Sequence, residues 1–124
     1  MMLRIFRLMV VAAFVCGLAT TGAFAHAFLD RAVPGVGTTV RASPSELELR
    51  FTEKVVSAFS GVQIAVLGGR PIAREKPVLD RARPNILHVR LRHALSPGTY
   101  VVTWHVVSVD THRTSGNYKF TVEP

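Results

Sequence analysis

Four side chains in this sequence, His26, Glu53, Asp110 and His112, carry donor atoms suited to a metal ion, provided that the chain is cut just before His26. A histidine at position one offers both its α-amine and its imidazole Nδ1, which close a chelate ring on one ion. An internal histidine cannot do this, because its backbone nitrogen is an amide. The free amine has an unperturbed pKa of about 7.7–8.0, so a metal displaces its proton near neutrality at modest cost. Asp110-Thr111-His112 supplies the other half. In extended backbone, residues i and i+2 point to the same side, so Asp110 and His112 can converge on one ion. One amine, two imidazoles and one carboxylate form a nitrogen-rich set with a hard oxygen, which suits a tetragonal copper(II) ion. Residues 26–124 contain neither cysteine nor methionine, which argues against a dedicated copper(I) site and a blue-copper centre. Glu53 has two readings of equal weight: an oxygen donor at or beside this site, or a strand-end carboxylate facing solvent.

The condition on His26 rests on the first 25 residues. Arg4 and Arg7 give a positive start, an apolar run follows from Leu8 to Leu18, and Ala23-Phe24-Ala25 ends the segment. These are the three regions of a secretory signal peptide, and the apolar run is too short to span a bilayer. We therefore expect a signal peptide at 1–25, an exported, periplasmic domain at 26–124, and no membrane span in the mature form. Cys16 follows Val15 rather than a small residue, which argues against a lipid anchor. Ala25-His26-Ala27 is itself a small-x-small triplet; cleavage after Ala27 would remove both donors of His26. The Ala23/Ala25 pair favours cleavage after Ala25.

The 124-residue chain has a formal net charge of +7, and loss of Arg4 and Arg7 leaves a mild basic excess. Its arginines are scattered without interleaved aromatics, which argues against nucleic acid as a partner. The elements that must position the donors read as short strands. Leu47, Leu49 and Phe51 alternate with Glu46, Glu48 and Arg50; Val62, Ile64 and Val66 share one face. Leu87, Val89 and Leu91 alternate with His88, Arg90 and Arg92. Tyr100, Val102, Trp104 and Val106 share a face of the longest run, and Tyr118, Phe120 and Val122 close the chain. Period-2 patterns separated by Pro, Gly, Ser and Asn predict an all-β, Ig-like antiparallel sandwich or barrel. Ser96-Pro97-Gly98 just before Tyr100 matches a tyrosine corner, whose hydroxyl bonds to nearby backbone. Trp104 belongs to the core; His88 and His93 sit among arginines on an outward face, and His105 reads as a surface or half-buried residue opposite Trp104. Residues 68–84, with three prolines and several charges, are the least regular part and are expected to contain a long surface loop.

Several segments together resemble the CopC family of periplasmic copper-resistance proteins. They are the histidine after the signal, Ala32-Val33-Pro34-Gly35, Leu49-Arg50-Phe51-Thr52-Glu53 and Phe59-Ser60-Gly61-Val62, then Leu95-Ser96-Pro97-Gly98-Thr99-Tyr100 and Trp104 to His112. The resemblance covers essentially all of residues 26–124. It implies a Greek-key β-sandwich, a copper(II) site at His26, Asp110 and His112 with Glu53 close by, and a membrane partner of the CopD type. The methionine-rich copper(I) loop of some members has no counterpart between Val66 and Val78, and His105 stands where many members carry Arg. Two other readings stay open. One is an enzyme of the lytic-monooxygenase kind, which also uses an N-terminal histidine on copper; the Asp carboxylate would fill a position that oxygen activation needs open. The other is a metal-free Ig-like adaptor.

Overall fold

The structure, a computed structural model, describes residues 27–124. The expected signal segment and His26 lie outside the described residues. Eight strands follow in order: β1 (Leu29–Val33), β2 (Thr39–Val40), β3 (Glu46–Phe51), β4 (Gly61–Val66), β5 (Val78–Leu79), β6 (Ile86–Arg90), β7 (Gly98–Val107) and β8 (Arg113–Val122). They form two four-stranded sheets, ordered β1-β3-β6-β5 and β2-β8-β7-β4. This is the β-sandwich that the alternating pattern predicts. Most pairs are antiparallel; two-residue β2 runs parallel to the end of β8.

The inward faces are the apolar positions of each period-2 run. Leu47, Leu49, Phe51, Val62, Leu87, Val89 and Val102 have no solvent exposure. Burying such a side chain contributes about 1.5–3 kcal/mol, so the alternation itself selects which face of each sheet turns in. Phe51 of β3 meets Trp104 of β7 edge to face, with ring centroids 5.2 Å apart at 71°, and this contact joins the two sheets. The indole lies over Gly116 of β8: a Cβ there would stand 2.7 Å from the ring, so the glycine makes room for it. The tyrosine corner forms as expected, with the Tyr100 hydroxyl donating to the Ser96 carbonyl at 2.5 Å.

The stretch after β4 contains the expected exposed loop, but it is tied down at several points. Ile72 N–H donates to Ile64 O at 2.8 Å and Val66 N–H to Arg70 O at 3.1 Å, so residues 70–72 run along the edge of β4. Glu75 N–H then reaches Arg90 O at 2.8 Å, and β5 closes the edge of β6. An uncovered strand edge is a template for aggregation; here the prolines and charges occupy both edges, and the stretch is pinned to each sheet in turn.

His88 lies on the outward face beside Arg90, as expected, but each ring nitrogen meets a carboxylate. Nε2 lies 2.8 Å from Asp80 Oδ1, and Nδ1 lies 2.5 Å from Glu46 Oε1 in an ionic contact that lacks hydrogen-bond direction. The other Asp80 oxygen accepts the N–H groups of Ala82 and Arg83, both at 3.0 Å, and fixes the β5–β6 turn. Glu48 of β3 sits directly across from His88, and Arg90 follows on the same face of β6. A neutral imidazole can donate to Asp80 but carries no charge for Glu46, whereas imidazolium donates to the one and attracts the other. Partial burial opposes the charge, but the Asp80 bond and the Glu46 carboxylate outweigh it and raise the His88 pKa above its usual 6.5. The bond from His88, reinforced by the two backbone N–H groups, holds the Asp80 carboxyl below its usual range.

A raised folded-state pKa stabilises the fold fully below the unfolded value and is lost as pH rises through the folded one. The Asp80 contribution has the opposite sense, present above the ordinary carboxylate range and lost below it. The clip should therefore be strongest in mildly acid solution. Thermal melts of the wild type minus those of His88→Gln should show a stability difference that shrinks as pH rises past the histidine range. A pH-independent difference would mean that the ring is held without its charge.

Candidate metal centre

Asp110 and His112 lie in the loop that turns β7 into β8. Ser108 N–H donates to His112 O at 2.9 Å, closing a three-residue loop of Val109, Asp110 and Thr111. Thr111 takes the left-handed conformation, φ 74°, that the last position of such a loop demands. For a β-branched residue this costs about 1–2 kcal/mol. The same-side reading of Asp110 and His112 therefore holds for a different reason from the one expected: the two converge across a tight turn, not along an extended strand. Asp110 Oδ2 lies 3.2 Å from His112 Nδ1, and both side chains are about half exposed.

Ser108, which the sequence reading passed over, organises this loop. It is 1% exposed. Its hydroxyl donates to Asp110 Oδ1 and accepts the His112 N–H at 3.3 Å. The Ser108 hydroxyl first, and His112 next, hold the Asp110 carboxyl below its usual range. Serine two residues before an aspartate in a turn is the available signal, because such hydroxyls bond locally in loops.

The start of the described chain is tied to the same end of the sandwich. Thr114, one residue into β8, donates its hydroxyl to the Ala27 carbonyl at 2.6 Å, and Ala27 is fully buried. Phe28 N–H donates to Thr52 Oγ1 at 3.0 Å, and Thr52 N–H returns a bond to Phe28 O at 2.8 Å. One residue past Glu53, Lys54 O accepts Val109 N–H at 3.0 Å, and Val55 bridges Ser108. Half-buried Glu53 thus lies between the clamp on the chain start and the clamp on the Asp110 loop. His105 lies elsewhere: on the outer face of β7 its ring covers Gly61, where any Cβ would overlap it.

The donor spacing suits a metal. Imidazole and carboxylate bonds of about 2.0–2.2 Å, as first-row ions such as zinc form them, place two cis donors about 3 Å apart. The 3.2 Å between Asp110 Oδ2 and His112 Nδ1 needs no backbone movement to match that. Among the described residues, no group of three or more His, Cys, Asp or Glu is gathered to hold an ion. Asp110 and His112 therefore offer a pair of donors rather than a full set.

The CopC domain model matches residues 29–123. The chain belongs to the CopC family. A curated relative, protein YobA of Escherichia coli K12, is 39% identical over 106 residues, covering 86% of each chain. Copper resistance protein C of Escherichia coli is 36% identical over 107 residues, covering 82% of this chain and 84% of its own. Among solved structures, CopC from Methylosinus trichosporium OB3b superposes with a TM-score of 0.74 at 35% identity, covering 80% of this chain and 95% of its own. The two sheets described above agree with that CopC structure, and membership places this chain in a copper-resistance family.

Proposed function

We propose that this CopC-family domain binds one copper(II) ion as cargo in the periplasm. The donors are the amine and imidazole of His26, the Asp110 carboxylate and the His112 imidazole, with Glu53 beside them. The observation that carries this reading is the Thr114 bond to the Ala27 carbonyl, because it ties residue 27 beside the loop that presents Asp110 and His112. Consecutive Cα atoms are about 3.8 Å apart, so the residue before Ala27 starts within one step of that anchor. The spacing of Asp110 and His112 as a cis pair supports the same reading, and so does the naming of the relatives.

The domain acts as a binding protein rather than an enzyme. It sequesters copper for resistance or homeostasis and hands it to a membrane copper protein of the CopD type. A cleft of about 270 Å³ beside the loop, lined by Val56, Phe59, Val109, Thr111 and Arg113, offers apolar surface for such a partner. Phe59 and Val109 are 66% and 59% exposed there.

The test is a copper(II) titration of protein exported with its native N-terminus, followed by EPR under chelator competition. One tight equivalent with a tetragonal, nitrogen-rich signal is expected. It should be lost in His26→Ala and when one extra residue precedes His26. Binding indifferent to both changes would reject the site.

A further inference from the structure

We infer that Ser108 is a positioning residue of the metal centre, locking the Asp110 carboxylate so that a single oxygen, Oδ2, is presented beside His112. The inference rests on the copper reading above and adds a residue and a denticity to it.

A hydroxyl has one proton to give. Ser108 Oγ has two acceptors in reach, Asp110 Oδ1 and, at 3.2 Å, the His112 carbonyl; the carboxylate is the stronger acceptor. The His112 N–H points into the same oxygen. The network therefore runs one way, from His112 N–H to Ser108 Oγ–H to Asp110 Oδ1. A hydrogen bond to a carboxylate is worth more than a neutral one, and Ser108 is shielded from water that could replace it.

The Ser108 backbone is bonded on both sides. Its N–H and C=O are bonded to His112 O and Thr111 N, both at 2.9 Å, and Val55 bridges it from the other side. With Oδ1 held by Ser108, Oδ2 is the oxygen that faces His112 Nδ1. Asp110 then binds through one oxygen, which suits an ion with a few short in-plane bonds. It disfavours a large cation such as calcium, which takes six to eight oxygens and often chelates both oxygens of a carboxylate.

The test compares wild type, Ser108→Ala and Ser108→Thr, with native N-termini, by copper(II) competition titration and EPR. Loss of a hydrogen-bonding partner of a metal ligand typically costs 10- to 100-fold in affinity. We expect Ser108→Ala to fall by about that factor with a broadened, heterogeneous spectrum, and Ser108→Thr to recover most of both. Calcium should not compete with copper in the wild type. Ser108→Ala with wild-type affinity and spectrum would overturn the role of Ser108 while leaving the copper reading intact. A wild type that binds no copper tightly would overturn both. Should Ser108→Ala fold poorly, NMR of the apo wild type decides: the Ser108 hydroxyl proton should exchange slowly and show contacts to the Asp110 β protons. A rapidly exchanging hydroxyl would overturn the inference.

Discussion

His112→Ala should weaken copper(II) binding by more than about 100-fold, above the 10- to 100-fold typical of groups that merely support a ligand, and leave folding nearly unchanged. The ring is half exposed and its removal empties no core space. The backbone bonds that close the loop, Ser108 N–H to His112 O and His112 N–H to Ser108 Oγ, do not involve the imidazole. Exposed positions of this kind usually change stability by no more than about 0.5 kcal/mol. Asp110→Ala should behave similarly in binding, and the double variant should lose less than the sum of the two, because both donors serve one ion. Chelator competition on the three variants, with melts of the metal-free proteins as control, measures all of this. Additive losses would show that Asp110 and His112 act at separate ions.

Phe51→Ala should cost about 3–5 kcal/mol, the range for emptying a buried aromatic site. Small domains have about 5–15 kcal/mol in total, so this change brings the domain close to unfolding. Phe51 has no exposure, its ring meets Trp104 across the sandwich, and Asn85 Nδ2 donates to its carbonyl at 2.9 Å. Those neighbours belong to different elements and cannot collapse together into the space. Phe59→Ala is the internal comparison: at 66% exposure it should cost less than about 0.5 kcal/mol. Urea unfolding followed by Trp104 fluorescence reads both. A Phe51→Ala cost below about 1 kcal/mol would mean that the inter-sheet contact is not what joins the two layers.

The core was legible because its signal is local. Leu47, Leu49 and Phe51 declare a buried face by alternation alone, and a tyrosine placed just after Ser96-Pro97-Gly98 has few uses other than the corner it forms. Asp110 and His112 were legible as a pair by type and spacing, although the turn that unites them was read as extended strand. What escaped notice depends on contacts that form only once strands pair and turns close. Nothing in the neighbourhood of His88 announces that Glu46, from β3, and Asp80, from the turn after β5, converge on its ring. Ser108 looks like any strand-end serine until the hairpin folds back and puts its hydroxyl under the loop. The pinning of residues 70–75 to two sheet edges is equally non-local. Its prolines and charges carry the composition of a free loop.

The long hairpin also sets which way the molecule can face. β7 and β8 are ten residues each and pair along their whole length, Val107 with Arg113 at one end and Gly98 with Val122 at the other. At about 3.3 Å per residue, the Asp110 loop stands about 30 Å from Val122, at the opposite pole. Anchored to a bead, an electrode or a second protein through Pro124, the molecule would point its Asp110–His112 pole outward and leave the Ala27 clamp undisturbed.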